Sequence, residues 1–157
     1  MLFTDAYERT IDEKKRVQIP APFRNAMDPE QDGSAFFAVP GERSQTLSLY
    51  PENYFKTKVG SMHLDRVPGS DALDFEQMFF SLASRVEPDK QGRIVLPERQ
   101  LSMVDLGSEV YLCGAHYRID VWPKAVYESF LREVSSRRSA LQSFLRMSGS
   151  PSGAGGE

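Results

Sequence analysis

The chain has little sulfur and little imidazole: its 157 residues include one cysteine and two histidines. The single cysteine, Cys113, excludes a disulfide within the chain. Together with His63 and His116 it offers too few nitrogen or sulfur ligands for a structural zinc site. We therefore expect no metal and no cofactor, although composition alone does not exclude a site built from carboxylates.

Long apolar runs are also missing. No stretch approaches the roughly 20 residues of a membrane span, and Asp5, Glu8 and Arg9 lie where a signal peptide needs its apolar core. We interpret the chain as a mature cytoplasmic protein without a membrane partner. A net charge of -3 excludes a protein that is basic throughout, but it leaves room for a local basic patch.

An imperfect internal repeat is the most informative feature of the sequence. FTDAYERTIDEKKRVQIP (3–20) aligns with FSLASRVEPDKQGRIVLP (80–97) at an offset of 77 residues. Further along, AFFAVP (35–40) resembles EVYLCG (109–114), and LYPENYF (49–55) resembles VWPKAVY (121–127). The offset shrinks to 74 and then 72 residues because the connections in the first copy are longer.

The repeat predicts two homologous halves, at residues 1–60 and 78–147. Residues 61–77 form a linker and the start of a connecting helix, and the tail, residues 148–157, is predicted to be disordered because it lacks large apolar side chains. Halves of this size are too short to bury a core each. We therefore expect them to pack on one another like a fused dimer, with a pseudo-two-fold axis that sets their two polar turns side by side or face to face.

Each half has the pattern of a small αβ unit. A strand leads into a polar turn, DEKKR or DKQGR, and a second strand with alternating apolar positions ends at Pro20 or Pro97. A short helical turn, two more strands and a helix beginning near Pro51 or Pro123 follow. The fold class predicted is α+β.

Two predicted helices need separate description: one lies outside this repeated pattern, and the other is the helix of the second half that follows Pro123. One covers residues 71–84, with Asp71 or Asp74 as N-cap. Its apolar spacing predicts four buried side chains: Leu73, Met78, Phe79 and Leu82. The other is a continuous helix over residues 124–145, in which basic side chains outnumber acidic ones. We interpret these basic side chains as a solvated face, and contact with a nucleic acid is the lesser alternative.

The turn of the first half carries a concentration of cations. Residues 9–24 include five basic side chains against two acidic ones, a local balance of +3, whereas residues 85–99 reach only +1. Cations clustered at a β-turn can contact phosphates while a flanking strand reaches base edges. An aspartate at the start of each turn, Asp12 or Asp89, can accept backbone N–H groups and fix the shape of the turn.

The two turns, each followed by an apolar strand and a strand–aromatic–Pro–helix segment, resemble the MraZ family of bacterial transcription regulators over roughly residues 1–147. That family carries a D-x-K-G-R-type motif twice. The resemblance implies a duplicated AbrB-like, swapped-hairpin β-barrel with flanking helices. It also implies a ring-shaped homo-oligomer that binds tandem DNA repeats upstream of a division and cell-wall gene cluster including its own gene, as a repressor in the cytoplasm and nucleoid.

Both turns depart from the family motif. Lys15 replaces the usual glycine of the first motif, and the second keeps Gly92 but has Gln91 in place of lysine. If the glycine position needs a positive φ, Lys15 costs on the order of 1 kcal/mol. Because the second motif has lost its lysine, we expect it to be the structural partner of the first. We therefore expect the main DNA contacts from Lys14, Lys15 and Arg16, phosphate contacts from Arg9 and Arg24, and weaker contacts from Lys90 and Arg93. Asp12, Asp89 and Gly92 are expected to structure the turns.

Other functions fit the sequence less well. His63, His116 and Cys113 are expected to be ordinary side chains, and basic neighbours keep Asp12 and Asp89 from sharing a proton, so we expect no enzyme and no small-molecule substrate. An AbrB-like antitoxin and a ring-forming scaffold stay open as alternatives. The Gly/Ser-rich tail has no apolar anchor for a toxin, which favours the DNA regulator.

Overall fold

The computed structural model describes residues 1–62 and 69–149. These residues form a mixed α/β structure with antiparallel strands and six helices. The elements are, in chain order, β1 (Ala6–Thr10), β2 (Arg16–Gln18), α1 (Ala21–Asn25), β3 (Phe36–Pro40), β4 (Leu47–Pro51), α2 (Glu52–Gly60), α3 (Ser70–Leu82), β5 (Ser84–Val86), β6 (Arg93–Val95), α4 (Glu98–Met103), β7 (Glu109–Gly114), β8 (Ile119–Pro123), α5 (Lys124–Ser136) and α6 (Arg138–Ser148).

The smaller sheet joins the two repeats directly. β2 and β6 pair antiparallel, with Val17 opposite Ile94 at the centre of the register. Two further hydrogen bonds extend the pairing at its ends, from Ile19 N to Gly92 O at 2.8 Å and from Leu96 N to Lys15 O at 2.8 Å. The two bonds are equivalent, because Ile19 corresponds to Leu96 and Lys15 to Gly92 at the 77-residue offset of the repeat.

The larger sheet mixes strands of both repeats in the order β1-β7-β8-β4-β3-β5. The first strand of each repeat pairs with a strand of the other: β1 with β7 and β5 with β3. The registers of these two pairings are equivalent, since Tyr7 faces Leu112 and Ser84 faces Ala38. β4 and β8 also pair across the repeats, with Ser48 opposite Asp120.

One apolar core lies between the sheets and the short helices. Val17 and Ile94 of the β2–β6 pair are buried in it, and the ring of Phe23 from α1 packs edge-on against Phe3 and Tyr7. Full burial of a side chain such as Ile94 contributes on the order of 1.5–3 kcal/mol. A second cluster, formed by Val39, Tyr50 and Phe55, lies beneath α2 and α3.

Helix α3 is more exposed than the sequence predicts. Leu73 and Met78 are 67% and 50% exposed, and the prediction that they are buried is wrong. The helix packs on the second cluster through Phe79, so only one narrow face is covered. The N-cap is Gly69, and Asp71 lies in the first turn, so the predicted aspartate cap is also wrong.

The chain divides into two compact units, residues 1–124 and residues from 125 onward. The second unit is helical, and the single helix predicted over 124–145 is broken at Arg137, whose φ of -101° and ψ of 41° are not helical. The break follows two serines, which are weak helix formers. Ser136 Oγ donates to Glu133 O at 2.6 Å and so competes with the backbone there.

Three sequence predictions concern residues outside the described part: His63, the middle of the linker, and the tail from residue 150 onward. Among residues 1–62 and 69–149, no helix has both the length and the apolar character that a membrane crossing requires.

Candidate nucleic-acid interface

The turn before β2, residues 12–16, is called loop one. Within it, the side chain of Asp12 accepts three hydrogen bonds. Asp12 Oδ1 accepts the backbone N–H groups of Lys14 at 2.9 Å and Arg16 at 2.8 Å, while Oδ2 accepts Arg16 Nε at 2.7 Å. The backbone closes the turn with bonds from Lys15 N to Asp12 O and from Asp12 N to Arg16 O.

The turn before β6, residues 89–93, is called loop two, and it repeats this network atom for atom. Asp89 Oδ1 accepts the backbone N–H groups of Gln91 and Arg93, and Oδ2 accepts Arg93 Nε at 3.0 Å. Gly92 N donates to Asp89 O and Asp89 N to Arg93 O. Both loops therefore hold their arginine partly in place, and the side chains of Arg16 and Arg93 are 29% and 30% exposed.

The hydrogen bonds to the two aspartates also stabilise their charged forms. The backbone N–H of Arg16 is the main cause that lowers the pKa of Asp12, and the backbone N–H of Arg93 does the same for Asp89. The guanidinium groups of the same arginines lower both pKa values further. Because each carboxylate is paired with its own arginine, the two do not form a proton-sharing pair.

The fourth residue of each loop has a left-handed backbone. Lys15 has a φ of 63° and Gly92, its counterpart, a φ of 77°. Glycine adopts this conformation without strain, whereas a lysine has a Cβ that crowds the following carbonyl. Loop one therefore keeps the conformation of loop two at some cost in stability, and gains one cation.

Loop two is supported by side chains from the first repeat. Arg24, at the end of α1, crosses directly over Gly92: a Cβ at position 92 would lie 2.7 Å from Arg24 Cζ. Arg24 Nε donates to Ile19 O at 3.2 Å, and Gln18 Nε2 donates to Gln91 O at 3.1 Å. The sequence groups Arg24 with the turn of its own half, but the antiparallel β2–β6 pairing brings it to the other loop.

Loop one lacks the equivalent support. Leu101 occupies the position that corresponds to Arg24, and Val95 the position that corresponds to Gln18. Beside Lys15 and Leu101 lies an open depression of about 380 Å³. A second depression, of about 540 Å³, is lined by Lys14, Lys15 and Val95.

The two loops lie at opposite ends of the β2–β6 ribbon, because the start of each strand pairs with the end of the other. The sequence predicts turns side by side or face to face, and this expectation is wrong for that reason. From Lys15 to Gly92 the ribbon spans about 13 Å, four residues at about 3.3 Å each. No ion pair joins Lys14, Lys15 or Lys90 to another described residue, so the three ammonium groups are available to a ligand.

The remaining sequence candidates lie away from the loops. Arg9 is in the middle of β1, where Nη1 donates to Glu8 O and the guanidinium lies over the Tyr7 ring. His116 lies in the turn between β7 and β8, and Cys113 is buried in β7.

Sequence reasoning missed the exposed face of the ribbon. Gln18 and Val95 lie there beside Arg16 and Arg93, while Val17 and Ile94 face the core. The signal was present: positions 16, 18, 93 and 95 alternate with the buried positions of two short strands. Net charge does not reveal this face, because two of its four residues, Gln18 and Val95, are uncharged.

Comparison with known proteins finds relatives that align with most of the chain. Residues 79–147 match the family model described as "MraZ protein, putative antitoxin-like". The chain is 34% identical over 143 residues to the "Transcriptional regulator MraZ" of Moorella thermoacetica, an alignment that covers 89% of this chain and 94% of the relative. Proteins of the same name from Finegoldia magna and Desulfitobacterium hafniense are each 31% identical, over 85% and 93% of this chain and 90% and 99% of their own length.

Proposed function

The chain belongs to the MraZ family, and from this premise we propose that it is a sequence-specific DNA-binding transcription regulator. The observation that carries the proposal is the β2–β6 ribbon with a cationic loop at each end, each loop having the same aspartate–arginine hydrogen-bond network. A two-stranded β-ribbon fits the major groove of B-DNA, which is about 12 Å wide. The ribbon length of about 13 Å between Lys15 and Gly92 matches that width.

Each residue type in the two loops has a separate task in this proposal. Asp12 and Asp89 hold the loops in shape before DNA arrives, so little ordering remains to be done on binding. Lys14, Lys15 and Lys90 contact phosphates, and Arg16 and Arg93 approach the groove from the ribbon. Arg24 adds a cation to loop two, and Arg9 is left as a weaker phosphate contact.

We extend the proposal to the architecture that the family resemblance implies: two AbrB-like halves, residues 1–60 and 78–147, in a swapped-hairpin barrel with an internal pseudo-two-fold axis. Support comes from the exchange of β1 and β5 between the repeats in equivalent registers. The symmetric pairing of β2 with β6 agrees with the same arrangement.

Assembly into a homo-oligomeric ring would explain how a protein of net charge -3 binds a polyanion. A single pair of loops makes few phosphate contacts. Several linked subunits on successive DNA repeats bind with higher overall affinity, because each raises the effective concentration of the next. The proposed target is the set of tandem repeats upstream of the chain's own gene in a division and cell-wall cluster, with repression as the outcome and the nucleoid as the place.

The test is binding of the full chain to a labelled duplex from upstream of its own gene, beside an unrelated duplex, over a range of salt. We expect Arg16→Ala and the double variant K14A/K15A to lose most specific binding. The double variant should also have a salt dependence shallower by about 0.9 per lost phosphate contact in each bound subunit. Lys56→Ala is the matched control, since it removes one exposed cation from α2 outside both loops.

If the folded protein shows no preference for the upstream duplex at any salt, the regulator proposal fails and a scaffold role is favoured. If binding survives in Arg16→Ala and K14A/K15A but not in Lys56→Ala, the interface lies elsewhere. Circular dichroism and size-exclusion chromatography of each variant separate loss of binding from loss of fold or assembly.

A second candidate function is that of an antitoxin, because the family model that matches residues 79–147 is described as antitoxin-like. An antitoxin should co-purify with a small protein partner when expressed from its own locus. Absence of such a partner, together with specific DNA binding, would rule out the antitoxin function and support the regulator function.

A further inference from the structure

The exposed face of the β2–β6 ribbon carries four side chains in two cross-strand pairs. Arg16 faces Val95, and Gln18 faces Arg93. At the 77-residue offset, Arg16 corresponds to Arg93, and Gln18 corresponds to Val95. The two repeats thus present the same arginine but a different neighbour on an otherwise symmetric surface.

Val95 is unusual in its surroundings. It is 56% exposed on a short strand, at a depression whose lining includes two lysines, an arginine and two glutamates, while the next residue, Leu96, is buried. Nothing in the packing of the described residues requires an apolar side chain there. An exposed valine costs little in a strand, and its methyl groups offer a contact that polar neighbours do not.

Gln18 is exposed at the equivalent position and keeps most of its hydrogen-bonding capacity. Its amide nitrogen uses one N–H in the bond to Gln91 O. The second N–H and the carbonyl oxygen are enough for the two hydrogen bonds that a glutamine makes to the N7 and N6 groups of adenine.

We propose that Gln18 and Val95 are base-reading residues. Gln18 recognises an adenine in the part of the DNA site that the first repeat contacts. Val95 contacts the methyl group of a thymine at the equivalent position in the part that the second repeat contacts. This inference rests on the proposed DNA-binding function and deepens it. Because the two residues differ, the ribbon reads an asymmetric site, and each subunit binds its DNA repeat in one orientation only.

The chemistry of the two contacts provides the test. A preferred duplex is first selected by the full chain from a pool of random 20-base-pair sequences. Each thymine in it is then replaced by deoxyuridine, which lacks the C5 methyl group, and each adenine by 7-deazaadenine, which lacks N7. Affinities are measured for the wild type and for Gln18→Ala and Val95→Ala.

We expect deoxyuridine at one position to weaken wild-type binding by about threefold to fourfold, the contribution of one buried methyl group. Val95→Ala should be insensitive to that replacement. We expect 7-deazaadenine at another position to weaken wild-type binding by about fivefold or more, as for loss of a bidentate base contact. Gln18→Ala should be insensitive to this second replacement.

Exchange of the two residues is the sharpest variant. The double variant Q18V/V95Q keeps the composition of the ribbon face, and we expect it to select the same base preferences in the reversed order. Lys56→Ala should select the wild-type sequence unchanged.

Three results would overturn the inference. The exchanged variant could select the wild-type sequence, or Gln18→Ala could weaken binding to all sequences equally, as expected if Gln18 only braces loop two. Either result, with Arg16→Ala still unable to bind the preferred DNA, would leave the regulator function intact and remove the base-reading role. Absence of any preferred sequence would overturn both proposals.

Discussion

Loop one and loop two have the same backbone but different surroundings, and the difference shows which interactions define the motif. The aspartate network is kept in every atom, including the left-handed fourth residue. The supporting side chains have diverged: Arg24 and Gln18 contact loop two, whereas Leu101 and Val95 occupy the corresponding positions near loop one. The hydrogen bonds fix the shape of the turn, and the surrounding residues adjust its charge and stiffness.

The comparison also changes the charge count. Along the sequence, the first turn is much more basic than the second. In space, loop two gains Arg24 from the other repeat, so that Lys90, Arg93 and Arg24 match the three cations of loop one. Counted in space, loop two therefore carries as many cations as loop one.

The largest expected difference between the loops concerns their aspartates. We expect Asp12→Ala to weaken DNA binding by about tenfold, because Val95 and Leu101 stand where Gln18 and Arg24 would support the loop, and loop one must then be ordered when DNA binds. Asp89→Ala should cost about threefold, since Gln18 and Arg24 still hold loop two. Fluorescence anisotropy with the upstream duplex measures both, and equal losses would contradict the idea that the two loops differ in stiffness.

The fourth loop residue should respond in opposite directions in the two loops. Gly92→Ala puts a Cβ at a φ of 77° and displaces Arg24, and we expect it to lower the free energy of unfolding by about 1–2 kcal/mol. Lys15→Gly relieves the same strain and should raise the free energy of unfolding by about 0.5–1 kcal/mol.

Urea unfolding measures both changes, with Lys15→Ala as the control that removes the charge but keeps the positive φ. Lys15→Gly and Lys15→Ala should lose similar DNA affinity, while only the glycine variant becomes more stable. A Lys15→Gly variant no more stable than Lys15→Ala would show that the strain is negligible.

Acid should act on the two loops alike, and this is the smallest effect we expect. Both aspartates have a folded pKa below the ordinary 3.8, so they stabilise the fold above that pH, and the stabilisation is lost as pH falls through the lowered values. Asp12→Asn and Asp89→Asn should each reduce the acid-induced loss of stability by the same small amount, measured by urea unfolding at pH 7 and pH 3. Unequal reductions would show that the two carboxylates are not in equivalent environments.

Much of this fold could be predicted from the sequence because the same pattern of strands, turn and helices occurs in both repeats. The strands around both turns and the short helices after Pro20 and Pro97 are confirmed. Asp12 and Asp89 accept hydrogen bonds within their turns, and their turn-structuring role stays a prediction. Pro51 and Pro123 end their strands immediately before α2 and α5. These features depend on local chemistry, which a sequence displays directly.

What could not be predicted depends on pairing between distant segments. The partner of Arg24 is set by the register of β2 against β6, which no local pattern reveals. The exposure of Leu73 and Met78 depends on how much of α3 is covered, and an apolar helix face looks the same whether or not it has a neighbour. Predicted DNA contacts stay predictions until binding is measured.

The exchange of strands between the repeats has a consequence for how the protein is made. During synthesis β1 leaves the ribosome early, yet Ala6 pairs with Cys113 of β7, so β1 must wait for nearly the whole of the first unit. Pairing between segments so distant along the chain loses the entropy of closing a large loop before it gains any contact energy, which makes folding slow. The first half emerges with unpaired strand edges, which are prone to aggregation until the second half has been synthesised.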